Sequence, residues 1–223
     1  MVMERKLSHM YFREITALLQ KGDLLVMNEA RVEKAKFFGK KSTGGKVECL
    51  FLNEDIEGMV VQLGGKNLSE GMDIFVGKDK LFLKRSLGEG RYLAVPSISV
   101  KKFLGLHGTM PLPPYIKSFD GPEESYQTVY AKTPGAIAAP TAGLHFTPML
   151  LKKLDEMGVK TAKVFLKVGT GTFSPVRCEN VLEHKMESET YHIPKESIET
   201  IKTAIKKGRR IITVGTTTMR ALE

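Results

Sequence analysis

The fold is organised around the stretch Pro-Thr-Ala-Gly-Leu-His-Phe-Thr at residues 140–147. It predicts a turn of small residues that carries one histidine, His145, and runs directly into Thr147 and Pro148. Threonine is a preferred N-cap and proline is favoured at the first helical position, so a helix is predicted to begin here. Gly158 is placed to end that helix in the left-handed conformation. His145 is therefore expected just ahead of a helix N-terminus, where backbone N–H groups favour an anion or a neutral imidazole.

A second stretch, residues 159–172, is predicted to contribute to the same site. Residues 159–168 are rich in β-branched and aromatic side chains, which predicts a strand that delivers Gly-Thr-Gly-Thr at residues 169–172. The two glycines allow a ligand to approach the backbone closely, and the threonines add hydroxyl groups. A lone histidine is more often structural than catalytic, but these neighbours favour a functional site around His145.

Composition bounds the class of protein. At 223 residues the chain can bury a substantial core, and its formal charge of +9 is typical of either a polyanion-binding protein or a lysine-rich surface. Cys49 and Cys178 have neither metal-ligand spacing nor a disulfide framework, so no metal is expected and a reducing compartment fits. No signal peptide and no apolar run of about 18 residues is present, which favours a cytoplasmic location.

The predicted secondary-structure pattern changes twice along the chain. A predicted helix up to Gln20 and a buried strand at residues 23–28 are followed, over residues 32–107, by six short alternating runs broken by glycine. Such runs are typical of a small antiparallel barrel or sandwich, and Thr43 to Lys46 form a predicted hairpin turn. Helix and strand patterns then return. The predicted fold is an α/β domain with a mixed sheet, built from residues 1–31 and 108–223, with an inserted antiparallel β-barrel over residues 32–107.

Two polar residues lie at and just past the carboxyl end of the first buried strand, at the position where α/β proteins hold ligands. Asn28 and Arg31 are therefore candidates for substrate contact, with an ordinary turn as the equal alternative. Near the end of the chain, residues 211–214 form a second predicted strand, and Gly-Thr-Thr-Thr at residues 215–218 opens the next helix.

Several long segments in one order resemble the S-adenosylmethionine:tRNA ribosyltransferase-isomerase family of queuosine biosynthesis. They are Asp-Leu-Leu-Val-Met-Asn (23–28), Thr-Gly-Gly-Lys-Val-Glu (43–48), Met-Pro-Leu-Pro-Pro-Tyr-Ile (110–116), Tyr-Gln-Thr-Val-Tyr-Ala (126–131), residues 135–147, Val-Gly-Thr-Gly-Thr-Phe-Ser-Pro-Val (168–176), His-Lys-Met-Glu-Ser-Glu (184–189) and Val-Gly-Thr-Thr-Thr-Met-Arg (214–220). The resemblance covers nearly all of this chain. The family's opening segment and C-terminal portion are expected to be missing from it.

The resemblance implies a specific reaction. The ribosyl group of S-adenosylmethionine moves to the aminomethyl group of 7-aminomethyl-7-deazaguanine at the tRNA wobble position and is isomerised, which gives epoxyqueuosine-tRNA and releases adenine and methionine. S-adenosylmethionine is then a consumed substrate and no cofactor is expected. The implied partners are that tRNA and S-adenosylmethionine, with no membrane, and we expect a monomer.

The reaction needs a base of near-neutral pKa, assistance to the departing adenine and a neutral attacking amine. His145 is the candidate for proton transfer, and Glu189 is a candidate second acid or base, or a counter-charge to the sulfonium. Arg31 and Arg220 suit the methionine carboxylate or RNA phosphates. The full set of predicted substrate-binding residues is Asn28, Arg31, Pro140, Thr141, Ala142, Gly143, Phe146, Gly169, Thr170, Gly171, Thr172, Phe173, Thr216, Thr217 and Arg220.

This sequence differs from the family pattern at two positions. Lys167 stands where the family usually has a histidine before Val-Gly, and Glu187 stands where it has a second histidine. Two other classes of function remain open: another S-adenosylmethionine-dependent RNA-modifying enzyme such as a methyltransferase, and a non-catalytic RNA-binding protein. The run that begins at Gly169 leads into Ser-Pro rather than a helix, unlike a dinucleotide-type glycine motif. A binding module would more often show exposed aromatic residues on a barrel face.

Overall fold

A computed structural model of the chain describes residues 9–113, 116, 121–169, 171, 178–183 and 188–223. Three residues of the predicted site, Thr170, Thr172 and Phe173, lie outside the described residues, as does Glu187. The strands of the described part are β1 (Leu24–Asn28), β2 (Ala30–Val32), β3 (Lys36–Lys41), β4 (Lys46–Asp55), β5 (Gly58–Gly64), β6 (Asp73–Val76), β7 (Asp79–Gly88), β8 (Arg91–Pro96), β9 (Thr133–Ala136), β10 (Lys160–Leu166), β11 (Tyr191–His192) and β12 (Ile211–Val214). Its α-helices are α1 (Val100–His107), α2 (Pro148–Glu156), α3 (Lys195–Lys206) and α4 (Thr216–Leu222), and short 3₁₀ helices cover Phe12–Ala17, Glu123–Tyr126, Thr141–His145 and Val181–Glu183.

A mixed sheet forms the centre of the first domain. Its strand order is β11-β10-β1-β12, with β10 and β12 parallel to β1 and β11 antiparallel to β10. Every residue of β1 is buried because packed elements cover both faces of the strand, as is usual for a central parallel strand. Leu24 and Val26 face a cluster that includes Ala204 of α3, whereas Leu25 and Met27 face a cluster with residues of α2.

The middle of the chain closes into a six-stranded barrel of order β3-β4-β5-β8-β7-β6. Alternate residues point inward, so that Phe37, Val47, Met59 and Ile74 are all fully buried in one core. The helix α1 covers this core, and its Phe103 packs edge-on against Phe37 with ring centroids 5.3 Å apart.

Two side-chain contacts tie segments that flank the barrel, and the second of them reaches the barrel itself. The side-chain amide of Gln127 bonds both backbone groups of Val32, accepting from its N–H at 3.0 Å and donating to its carbonyl at 2.8 Å. Lys167, which follows β10, donates from its Nζ to the carbonyl of Leu52 in β4 at 2.9 Å. Lys167, which stands where the resembling family usually has a histidine, therefore reaches the barrel.

The predicted fold class is confirmed: a mixed-sheet α/β domain takes strands from both ends of the chain, and an antiparallel barrel lies between them. All six predicted barrel runs are strands, and the Thr43 to Lys46 hairpin is present, with Gly44 at a φ of +84°. The exact domain boundaries stay a prediction.

The first helix differs from the prediction. The segment up to Gln20 was expected to form an α-helix, but within the described residues only a 3₁₀ helix over Phe12–Ala17 is present, and no residue of it is buried. Its apolar side chains Phe12 and Ile15 are only partly buried against the sheet cluster. A helix this short gains too little burial to extend further.

Candidate functional site

The carboxyl ends of β10 and β12 open on a cavity of about 390 Å³. Its lining comes from five segments: Pro113; Tyr126; Ala138, Ala139, Pro140, Thr141 and Ala142; Val168; and Gly215, Thr216 and Thr217. In open α/β sheets, ligands bind outside the carboxyl ends of the parallel strands. The structure thus gathers five predicted substrate-binding residues, distant in sequence, around one cavity at the expected edge.

A larger groove, of about 600 Å³, lies at the opposite edge of the sheet. It runs along α3 and is lined by Gly22 and Leu24 at the start of β1, by Lys160 at the start of β10, and by charged residues such as Glu196 and Arg209. Its place at the amino ends of the parallel strands is not where this architecture binds ligands. We therefore assign the functional site to the smaller cavity.

The 3₁₀ helix Thr141–His145 forms one wall, and a glycine lets it sit there. A side chain at Gly143 would overlap the hydroxyl of Tyr130, and its Cβ would lie 2.8 Å from Cγ2 of Thr128. A Cβ at Gly215 would lie 3.1 Å from that of Ala142, so the start of α4 packs directly against the turn. Gly215 also has a φ of +84°, which favours glycine. These two glycines allow the turn to pack between Tyr130 and the start of α4.

The end of this turn is held by the predicted helix cap. The Oγ1 of Thr147 accepts from the N–H of Leu150 at 3.1 Å, and Pro148 is the first residue of α2. Gly158 ends that helix at a φ of +80°. The helix start and stop predicted from sequence are confirmed, and they fix where the chain leaves His145.

His145 is exposed and closes the 3₁₀ helix. In this kind of helix residues three apart lie on the same face, so His145 follows Ala142 about 6 Å further along the helix axis. Its ring stacks on Phe12 with centroids 5.0 Å apart and planes inclined by 29°. His145 does not line the cavity itself. Its role in proton transfer stays a prediction, supported by its place on the same face of the 3₁₀ helix as the wall residue Ala142.

Glu189 connects two other parts of the predicted site. One carboxylate oxygen accepts from the N–H of Gly169 at 2.8 Å, and the other pairs with the guanidinium of Arg220 at 2.8 Å. The Glu189 side chain is only 9% exposed, whereas that of Arg220 is 40% exposed. Gly169 directly follows Val168 of the cavity wall, and Arg220 lies one turn after Thr216 on α4. Three residues chosen from sequence thus form one charged network beside the cavity.

Two neighbouring threonines of α4 differ in what their hydroxyls do. Thr218 is fully buried and its Oγ1 donates to the carbonyl of Val214 at 2.8 Å. The buried Oγ1 of Thr217, on the cavity wall, has no hydrogen-bond partner among the described residues. A buried hydroxyl without a partner is uncommon, and because Thr217 lines the cavity, its hydroxyl is a candidate to bind a ligand there.

Asn28 and Arg31 are not gathered at this cavity. The amide of Asn28 is buried, accepts from the N–H groups of Leu166 and Ala30, and donates to the carbonyl of Leu166. These bonds tie the end of β1 to β10. Arg31 forms an ion pair with Glu124 at the surface. These contacts therefore favour a structural role for Asn28 and a surface role for Arg31, rather than substrate contact.

The described residues contain no group of three or more histidine, cysteine, aspartate or glutamate side chains that could hold a metal ion. None of the described helices has the length and apolar character needed to cross a membrane.

Comparison with known families shows which family the chain belongs to. A model of the family described as queuosine biosynthesis protein matches residues 1–223. The chain belongs to the queuosine biosynthesis protein family.

Two relatives are similar in sequence to this chain over almost its whole length. Proteins named S-adenosylmethionine:tRNA ribosyltransferase-isomerase are 44% identical over 99% of the chain in Thermosipho melanesiensis and 42% identical over 100% of it in Thermotoga maritima. The chain spans about two thirds of their length, 66% and 68% respectively. A crystal structure of S-adenosylmethionine tRNA ribosyltransferase from Thermotoga maritima matches 95% of this chain and 58% of its own, with 26% identity and a TM-score of 0.37.

Sequence reasoning missed part of the site of this queuosine family member. Pro113, Tyr126, Ala138 and Ala139 line the cavity but were not selected. Two of them carried a signal, since Pro113 lies in the proline-rich segment and Tyr126 opens another segment of the family resemblance. The alanines carried none, because a small apolar residue marks a cavity wall only once its neighbours in space are known.

A half-buried lysine near the turn was also missed. Lys163 of β10 places its Nζ 4.2 Å from the centre of the Tyr130 ring. Burial lowers the pKa of the Lys163 amine, and burial raises the pKa of the Tyr130 hydroxyl to about 12. Tyr130 in turn packs against Phe146, a predicted site residue that is buried and supports the turn from below.

Proposed function

We propose that this chain transfers and isomerises the ribosyl group of S-adenosylmethionine onto 7-aminomethyl-7-deazaguanine at the wobble position of tRNA. The products are epoxyqueuosine-tRNA, adenine and methionine. S-adenosylmethionine is consumed as a substrate, so the proposal includes no resident cofactor or metal. The protein acts as a monomer on its tRNA. Family membership and the names of the relatives support this reaction class.

One observation of the structure carries the proposal. Pro140, Thr141 and Ala142 meet Thr216 and Thr217 around one cavity at the carboxyl ends of parallel strands. Its volume of about 390 Å³ lies within the range of roughly 300–1,000 Å³ that is usual for small-molecule sites. The walls combine apolar small residues with a few hydroxyls, which suits a nucleoside.

The charges beside the cavity suit a sulfonium substrate. A positively charged sulfur is stabilised by a nearby carboxylate, and Glu189 is the carboxylate next to the wall. Both of its oxygens are already bonded, so we assign it the role of counter-charge and of positioning the Gly169 backbone rather than proton transfer. Arg220 presents a guanidinium at the same place, which suits the methionine carboxylate.

Proton transfer is assigned to His145. The sulfonium acidifies the neighbouring C5′ protons, and an imidazole can remove one near neutral pH. His145 is exposed at the end of the 3₁₀ helix that forms one wall of the cavity. Its stacking on Phe12 limits the directions in which the ring can point.

Product analysis tests the proposal against its two alternatives. The protein is mixed with S-adenosylmethionine and tRNA that carries 7-aminomethyl-7-deazaguanine, and the small molecules are separated by chromatography. Free adenine and methionine are expected. S-adenosylhomocysteine would instead identify a methyltransferase, and no turnover of S-adenosylmethionine would identify a binding protein.

The excess of basic residues provides a second test of the RNA partner. Affinity for tRNA is expected to fall steeply as salt rises, because bound counterions return to the phosphates. An affinity that stays constant between low and moderate salt would contradict this use of the +9 charge.

A further inference from the structure

Three exposed phenylalanines form a row on the outside of the barrel. Phe38 of β3, Phe75 of β6 and Phe82 of β7 are 59%, 46% and 40% exposed. The residues next to them along the strands, such as Phe37 and Ile74, point into the barrel core. We call these three rings the phenylalanine row.

Strand register places the three rings on one diagonal line. Phe75 is paired with Lys40 on one side and with Lys80 on the other. Phe38 comes two residues before Lys40, and Phe82 comes two residues after Lys80. Since β3 and β7 run in the same direction, the two rings lie on opposite sides of the level of Phe75. Diagonal neighbours in a sheet are about 7–8 Å apart, so the rings form a continuous strip across three strands.

Lysines surround the row. The Nζ of Lys36 lies 5.4 Å from the centre of the Phe38 ring while it pairs with Glu48. Lys80, level with Phe75, pairs with Asp73. On the other side Lys40 lies directly opposite Lys46, and no ion pair between described residues involves either of them. Like charges directly opposite each other destabilise a sheet, and a bound anion would offset that cost.

We propose that the phenylalanine row is a stacking surface for unpaired nucleotides of RNA, with Lys40 and Lys46 holding the phosphates. Aromatic side chains interleaved with lysines on a barrel face have the chemistry that binds single-stranded nucleic acid, because every base has a face that can stack. A second copy of this chain fits less well, since it would bring its own charge of +9 against the same lysines. The inference rests on the proposed function in that RNA is the substrate. It adds where unpaired nucleotides outside the reacting base are held.

Binding of a short labelled RNA tests the row directly. An unstructured oligonucleotide of about twelve nucleotides is titrated at two salt concentrations, a length within the range that one such barrel covers. Each of Phe38→Ala, Phe75→Ala and Phe82→Ala is expected to weaken binding about ten-fold without changing the salt dependence. Lys40→Gln and Lys46→Gln should each lower the slope of log affinity against log salt by about 0.7.

The matched control is Ile56→Ala. Ile56 is fully exposed in the turn between β4 and β5, away from the row, and its loss should leave RNA affinity unchanged. Phe75→Leu separates stacking from simple apolar contact, since leucine keeps much of the apolar area and loses the ring. Because the three rings keep part of their area buried, the alanine variants are expected to stay folded with slightly lower melting temperatures, and thermal melts check that each variant is folded.

Two results would overturn the proposal. One is a triple alanine variant of the row that binds the oligonucleotide as tightly as the wild type. The other is a wild-type protein that sediments as a dimer and becomes a monomer in that variant, which would assign the row to a second copy of the chain. Release of adenine is measured separately with tRNA, so loss of the reaction and loss of oligonucleotide binding are told apart.

Discussion

The unpaired hydroxyl of Thr217 gives the sharpest test of the cavity. Thr217→Val keeps the shape of the side chain and removes only the hydroxyl. Because that hydroxyl is buried without a partner among the described residues, its loss should leave the free energy of unfolding unchanged or raise it by up to about 1 kcal/mol. A hydrogen bond to a ligand is worth about 0.5–1.5 kcal/mol, so the Kd for S-adenosylmethionine should rise about two- to twelve-fold.

Thr218→Val is the matched control one residue along the same helix. The Thr218 hydroxyl is bonded to the Val214 carbonyl at 2.8 Å, so its loss should lower the free energy of unfolding by about 0.5–1.5 kcal/mol. It does not line the cavity, and the Kd for S-adenosylmethionine should stay within about two-fold, an effect below about 0.4 kcal/mol. The two variants are therefore expected to show opposite patterns.

Calorimetric titration with S-adenosylmethionine and urea unfolding measure the two quantities independently. A Thr217→Val protein that is folded and binds S-adenosylmethionine with wild-type affinity would refute the assignment of this hydroxyl to the ligand. Equal losses of affinity in both variants would show that disturbance of α4, and not a lost ligand contact, is responsible.

Three further predictions concern charged groups. His145→Ala should lower the rate of adenine release by about two to four orders of magnitude with little change in S-adenosylmethionine binding; His145→Asn with near-wild-type turnover would exclude proton transfer. Glu189→Gln should keep turnover within about ten-fold, because an amide can still accept from Gly169, whereas a loss of a hundred-fold or more in steady-state assays would make Glu189 an acid or base. The side-chain hydrogen bond from Arg210 lowers the pKa of the buried Asp23 carboxyl below its ordinary value of 3.8. That pair should therefore stabilise the fold fully above about pH 4 and less as pH falls, so urea unfolding should separate wild type from Asp23→Asn at pH 7 but not at low pH.

Much of the fold followed from local signals in the sequence. The cap at Thr147, the six barrel strands and the strand before Gly169 each depend on residues a few positions apart, and all are present. The prediction of the first helix was wrong because the spacing of its apolar residues does not reveal how much of their surface the sheet covers. In the described part of that segment, from residue 9 onward, only a 3₁₀ helix with no buried residue is present.

The sequence by itself singled out three segments that line the cavity: the turn that ends at His145, the end of the strand before Gly169 and the threonines of α4. Only the tertiary structure decided how they meet. Asn28 bonds Leu166, 138 residues away, and so became a structural tie. Glu189 bonds Gly169, which lies after β10, and Arg220, which lies on α4. Strand register places Lys40 opposite Lys46. Periodicity and capping are encoded within a few residues, whereas such pairs arise from packing between distant segments and leave no mark in one sequence.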